Sequence, residues 1–157
     1  AFIGNRKTSA ENSSQQKVAV FINYTWEINP RQYLFAQNQS AKMIGKNFLT
    51  NELMLIGGTN TMRGFNENQF YSSAYSIFNL EYRLVTSTDS YFYTITDYGQ
   101  TKNKIDRTNS KMLGLGLGYV FKVNSGFLNI SYSIGKFSNT SFNFNQSKVH
   151  VKWMQNF

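Results

Sequence analysis

Between Lys111 and Val123 the chain alternates with period two. Leu113, Leu115, Leu117, Tyr119, Phe121 and Val123 fall on one side; Gly114, Gly116, Gly118 and Lys122 fall on the other. A helix would spread those leucines around its circumference, so the segment must be a β-strand. Glycine weakens a strand, and three on one face need a reason, such as close approach of another backbone. The run is longer than the about five or six residues usual in a soluble sandwich. It matches the length of a strand that crosses a bilayer.

The same period recurs along the chain. Val18, Val20, Ile22, Tyr24, Trp26 and Ile28 share one face, opposite Ala19, Phe21, Asn23, Thr25 and Glu27. Ala74, Ser76, Phe78, Leu80, Tyr82 and Leu84 alternate with Tyr75, Ile77, Asn79, Glu81 and Arg83, so one face holds both charges. In the strand from Ser90 to Gly99, Asp97 shares a side with Tyr91, Tyr93 and Ile95. Leu128 to Ile134 and Lys148 to Phe157 alternate too, whereas Tyr33 to Lys46 gives a weaker strand with unsorted faces. Asn29-Pro30-Arg31 and Asn124-Ser125-Gly126 read as turns. Arg6–Gln15, Gln100–Asn109 and Lys136–Gln146 read as loops, and Ala1–Ile3 as the end of a strand. Strands with one apolar face and one polar or glycine-bearing face, and no helix, predict a transmembrane β-barrel. A soluble β-sandwich or extended sheet is the alternative.

The 157 residues suit one domain and include no cysteine, which excludes a disulfide framework and thiolate metal sites. Only 15% are charged and 17% are aromatic, and no apolar run is long enough for a spanning helix. The chain has no signal-peptide pattern and does not start with Met, so it reads as a mature or excised segment. Its net charge of +8 is scattered, fits no nucleic-acid motif, and suits an anionic lipid surface. No enzyme, cofactor or metal is expected. The one histidine, His150, has no carboxylate close in sequence and reads as structural or interfacial. Gly114 to Gly118 lacks the lysine and helix start of a nucleotide loop.

Ile56 to Phe65 interrupts the strands. It is too rich in glycine for a strand and lacks a helical period. Gly57-Gly58 permits a turn closed to other residues. At Arg63-Gly64 the backbone can pack against a wall while the guanidinium reaches a carboxylate. The alternative is an ordinary hairpin loop.

These residues resemble a family. Ile56-Gly57-Gly58 followed by Met62-Arg63-Gly64-Phe65 resembles the glycine pair and Arg-Gly-aromatic loop of the bacterial outer-membrane assembly-factor superfamily, which includes the BamA and TamA insertases. Leu80-Glu81-Tyr82-Arg83 resembles its Glu-x-Arg strand, and Ile95-Thr96-Asp97-Tyr98-Gly99 its Asp-x-Gly strand. Ser110 with Gly114-Leu115-Gly116, then Gly126-Phe127-Leu128, resembles the following hairpin. His150 to Phe157 resembles the closing strand with its terminal aromatic. Order and spacing match from Glu52 to Phe157. Met62 stands where Val or Leu is usual, Thr96 is polar, and the hairpin turn lacks its proline.

The resemblance implies the C-terminal half, about seven or eight strands, of an all-β antiparallel transmembrane barrel of roughly sixteen. The whole of 1–157 would be that segment, with 51–73 as a long loop inserted into the lumen. Arg63 would meet Asp97, with Glu81 and Arg83 nearby, and Gly64 and Phe65 would complete the lock. Each close pair has a Coulomb term of roughly 4 kcal/mol, much of it offset by desolvation, so the pairing positions the loop more than it stabilises the fold. Gly114, Gly116 and Gly118 would clear lumen space. Val151, Trp153 and Phe157 would form the signal by which such barrels are inserted through β-augmentation.

The implied function is BamA-like insertion of client barrels in the bacterial cell outer membrane, by non-covalent catalysis through a lateral seam. The alternatives are a two-partner-type polypeptide secretion pore and the barrel anchor of a fused patatin-like lipase. Expected partners are outer-membrane lipid and client β-barrel proteins. Accessory assembly lipoproteins would join them, with barrel strands and periplasmic domains outside this chain, or a partner chain, to complete the unit. No nucleic acid is expected.

Overall fold

A computed structural model describes the backbone of residues 2–7 and 12–155 and the side chains from Gln15 onward. Ten strands form in chain order: β1 Phe2–Lys7, β2 Asn12–Asn29, β3 Gln32–Ile44, β4 Met54–Ile56, β5 Phe70–Ser72, β6 Ala74–Ser87, β7 Ser90–Asn103, β8 Thr108–Val123, β9 Gly126–Phe137 and β10 Lys148–Met154. Eight of them make one antiparallel sheet in the order β1-β2-β3-β6-β7-β8-β9-β10, while β4 and β5 pair as a small hairpin inside the long loop. The fold is the expected stretch of transmembrane barrel wall, with β1 and β10 at its two ends.

Strand faces follow the alternation. Leu117 (65% exposed), Val149 (67%), Val151, Trp153 and Ile22 all point outward with nothing of the chain over them. Buried positions on the other face include Asp97, Glu81, Asn79 and Ser133. This distribution is inverted relative to a soluble sandwich, where leucines meet in the core and acids meet water. It is stable where the outer face touches hydrocarbon. The faces of β3, ambiguous in sequence, are fixed by its neighbours: Lys42 sits between Val18 and Ala74 on the outward row.

Connections differ by end. Pro30–Arg31, Thr88–Asp89 and Asn124–Ser125 are two-residue turns at one end. The connections after β3, β7 and β9 lie at the other end, the longest running from 45 to 73. Short turns mark the periplasmic side of such barrels and long loops the outer side. Outward aromatics collect near the short turns, with Tyr24 stacked edge-on to Trp26 at 4.7 Å and Phe92 against Tyr119 at 4.3 Å.

Several boundaries move. Of the polar stretch Arg6–Gln15, expected as loop, Arg6–Lys7 belongs to β1 and Asn12–Gln15 to β2, because a barrel wall needs no apolar residues above the membrane. The expected loop Gln100–Asn109 shrinks to a turn between Asn103 and Thr108 for the same reason. Phe70–Ser72, within the expected 51–73 loop, pairs as a short strand with Met54–Ile56. Of the three residues of the expected insertion signal, Val151 and Trp153 are exposed on the outward face and Phe157 lies outside the described residues.

Candidate functional site: a loop braced across the lumen wall

The long loop folds back against the inward face. Its foot is tied to β2 by Gln15, whose Nε2 donates to Glu52 Oε2 at 2.8 Å and to the Asn47 carbonyl at 3.1 Å. Met54 and Leu53 then bury against Ala41 and Met43. Ile56, Met62 and Phe65 pack with Ile77 and Met112 as an apolar wedge. Phe70 continues it, edge-on to Phe65 at 5.3 Å and stacked on Phe137 at 4.8 Å.

The turn at Gly57 and Gly58 takes φ of 118° and 90°, as the glycine pair predicted. It closes through Gly58 N–H to the Met62 carbonyl at 2.9 Å and Gly57 N–H to Thr61 Oγ1 at 2.8 Å. The turn aims Arg63 at β7. Its backbone N–H and its Nε both donate to Asp97 Oδ2, at 3.0 and 2.8 Å, and Nη2 donates to Oδ1 at 2.6 Å. Nη1 donates to Glu81 Oε1, and the other Glu81 oxygen accepts from Arg83 Nε and Nη2 at 2.9 and 2.7 Å. Asp97 is 0% exposed, and Arg63 and Glu81 7% each. Two cations and two anions make the group neutral, so burial leaves no net charge uncompensated. Burial alone would lower the Arg63 pKa, but Asp97 and then Glu81 outweigh it and hold the guanidinium above its ordinary value.

The expected lock residues Arg63, Glu81, Arg83 and Asp97 are therefore together. Gly64 and Phe65 complete the contact with the wall. Gly64 has φ of 89°, and a Cβ there would stand 2.6 Å from Gly135 N. The three expected lumen-clearing glycines divide. Only Gly114 makes room for the loop, its missing Cβ giving way to the Arg63 carbonyl. At Gly118 the space is taken by the Tyr93 ring, and at Gly116 by Tyr132 and Ser133 of β9. Those two glycines serve packing of the wall itself, a correction that period two alone had no means to reveal.

Sequence reasoning missed the far side of the brace. His150 Nδ1 lies 3.3 Å from Thr59 Oγ1, and its Nε2 accepts from Gly64 N–H at 3.4 Å. Lys152 Nζ donates to Asn60 Oδ1 at 2.8 Å. Asn79 Nδ2 donates to the Thr61 carbonyl at 2.9 Å, and Gln39 Nε2 to the Asn60 carbonyl at 2.8 Å. His150 and Lys152 share the inward face with Lys148 and Met154, and that alternation was the available signal. Residues 57–65 thus touch β3, β6, β7, β8, β9 and β10 in turn. One loop spans six adjacent strands.

The model of the haemolysin secretion/activation protein family ShlB/FhaC/HecB matches residues 1–121. The chain belongs to that family. No curated protein matches it. The ShlB/FhaC/HecB match covers the loop together with Arg63, Glu81, Arg83 and Asp97, and stops within β8. It upholds the wider outer-membrane superfamily that the motifs resemble. The branch matched is secretion/activation, rather than the BamA or TamA branch expected from those motifs.

Proposed function

We propose that this chain forms part of the wall of a two-partner-type secretion pore in the bacterial outer membrane, passing an unfolded polypeptide through its lumen. The observation that carries this reading is the secretion/activation family match over the segment that contains the buried arginine brace. The lumen surface agrees with it chemically. Against the brace lies a concavity of about 300 Å³ lined by Arg63, Glu81 and Lys152 together with amides and aromatic rings such as Asn79, Asn129 and Tyr93. The amides offer main-chain hydrogen-bond partners to an extended peptide of any sequence, and the Arg63 and Glu81 charges there are already paired with each other. The loop occupies part of the lumen at rest, and its polar contacts to the wall are exchangeable for contacts to a passing chain.

BamA-like insertion is the second reading. It rests on the motif order from Glu52 to Phe157 and on the outward row Val149, Val151 and Trp153 at the end strand β10. Replacing Arg63 with Ala in the full-length protein separates the two. The pore reading expects secretion of the partner polypeptide to fall while surface levels of other barrels hold. The insertase reading expects the reverse. Unchanged secretion and unchanged barrel levels, with chymotrypsin now cutting the loop at the otherwise buried Phe65, would overturn a functional role for the brace in either.

A further inference from the structure

The outward face differs at its two ends. Near the two-residue turns it is aromatic. Near the long loops it carries Lys42 on β3, Lys102 on β7 and Lys111 on β8, all exposed. Register places them together: Lys42 is opposite Ala74, Ala74 is opposite Lys102, and Lys111 is opposite Gln100 in the next row. Strand spacing puts Lys42 and Lys102 about 10 Å apart at the backbone, within joint reach of one head group. None of the three lysines has a salt bridge among the described residues, where the acids Glu81, Asp97 and Asp89 are engaged elsewhere. They line a groove of about 820 Å³ together with Val18, Val20 and Ile44 along one side and Ser40 and Ser76 between.

We propose that this groove holds the phosphorylated head group of an anionic lipid in the outer leaflet. Cations on the lipid face are costly at mid-bilayer and tolerated at its edge, where they snorkel to the head groups. Lysine binds phosphate as a point charge. A row of small and polar residues, Ser40, Ser76 and Gln100, with Lys111 at its β8 end, separates the uncompensated cations Lys42 and Lys102 from the exposed outward row Ile22, Phe78 and Tyr98. That order matches a molecule with acyl chains beneath its phosphates, and free phosphate or an acidic protein would have no use for the apolar row. The site lies outside the barrel, remote from the lumen brace, and is independent of what passes through the pore.

The test uses full-length protein in nanodiscs of neutral phosphatidylcholine doped with diphosphoryl lipid A or its dephosphorylated form, with retained lipid counted by native mass spectrometry after extraction. Wild type should retain the phosphorylated form selectively. The triple variant K42Q/K102Q/K111Q should bind it about a hundredfold more weakly, and the triple Lys→Arg variant should retain it. All three side chains are exposed, so heat-modifiable migration should confirm a folded barrel in each. Equal retention by the Gln variant would overturn the proposal, as would equal retention of the dephosphorylated form. Displacement by millimolar inorganic phosphate would assign the groove to free phosphate and also overturn it. Loss of self-association in the Gln variant, with lipid retention unchanged, would assign the face to a second copy and overturn it too.

Discussion

Gly64 and Gly135 meet backbone to backbone: a Cβ on Gly64 would stand 2.6 Å from Gly135 N, and one on Gly135 2.6 Å from the Gly64 carbonyl oxygen. The loop can lie this close to β9 only while neither residue has a side chain. Gly135→Ala leaves Arg63 and its partners intact but pushes the loop off the wall. Overpacking of this kind costs about 1–3 kcal/mol. Arg63 is buried and so shielded from trypsin. Cleavage at Arg63 should rise in Gly135→Ala while the wall strands stay protected. Unchanged protection would mean that the loop can ride higher without losing its hold.

Asp97 and Glu81 should differ in importance. Asp97 accepts three of the hydrogen bonds from Arg63, whereas Glu81 accepts one and is shared with Arg83. Asp97→Ala strands a buried guanidinium and should cost about 3–5 kcal/mol. Glu81→Ala leaves the bidentate pair standing and Arg83 free to hydrate, since its side chain is 25% exposed. Urea midpoints, with loop cleavage as a second readout, should rank Asp97→Ala well below Glu81→Ala. The opposite rank would move the centre of the brace to β6.

Arg63 also sets the response to pH. A cation whose pKa is raised in the folded state contributes fully below its unfolded value and is lost only as pH climbs past the folded one. Asp97 and Glu81 push Arg63 upward, so docking should be flat from neutral to alkaline pH, read by chymotryptic cleavage at Phe65, which is buried while the loop is seated. Arg63→Lys keeps the charge and loses the planar fork. It should hold the loop less firmly than wild type and more firmly than Arg63→Ala, and its docking should weaken toward alkaline pH. Equal docking by Lys and Arg at neutral pH would show that charge alone suffices.

Period two made the wall legible. Spacing alone assigns the sides of β6, β7, β8 and β10, and the motif resemblance joins Arg63 to Asp97 and Glu81. Two kinds of information were absent. Strand ends above the membrane, such as Arg6–Lys7 and Asn12–Gln15, lack apolar residues because water and not lipid surrounds them, so hydrophobic pattern cannot mark them. Partners from distant strands, such as His150 with Thr59, depend on barrel curvature bringing β10 over the loop. Gly114, Gly116 and Gly118 looked equivalent in sequence, yet each faces a different neighbour.

The outward row offers the sharpest check on the membrane reading. Leu115 sits midway along β8 on the outward face, between Thr96 and Ile134 on its neighbours. Asn23 sits on the opposite, inward face of β2, where the loop does not reach. Arginine is costly where it must displace hydrocarbon and cheap where water already stands. Leu115→Arg should therefore destabilise the barrel by about 2–4 kcal/mol, and Asn23→Arg by about 0–1 kcal/mol. Reversible unfolding in phospholipid vesicles measures both. If the two costs were equal, or if Leu115→Arg were the milder change, the leucine face would not be meeting lipid, and the inward placement of Arg63 would lose its physical basis.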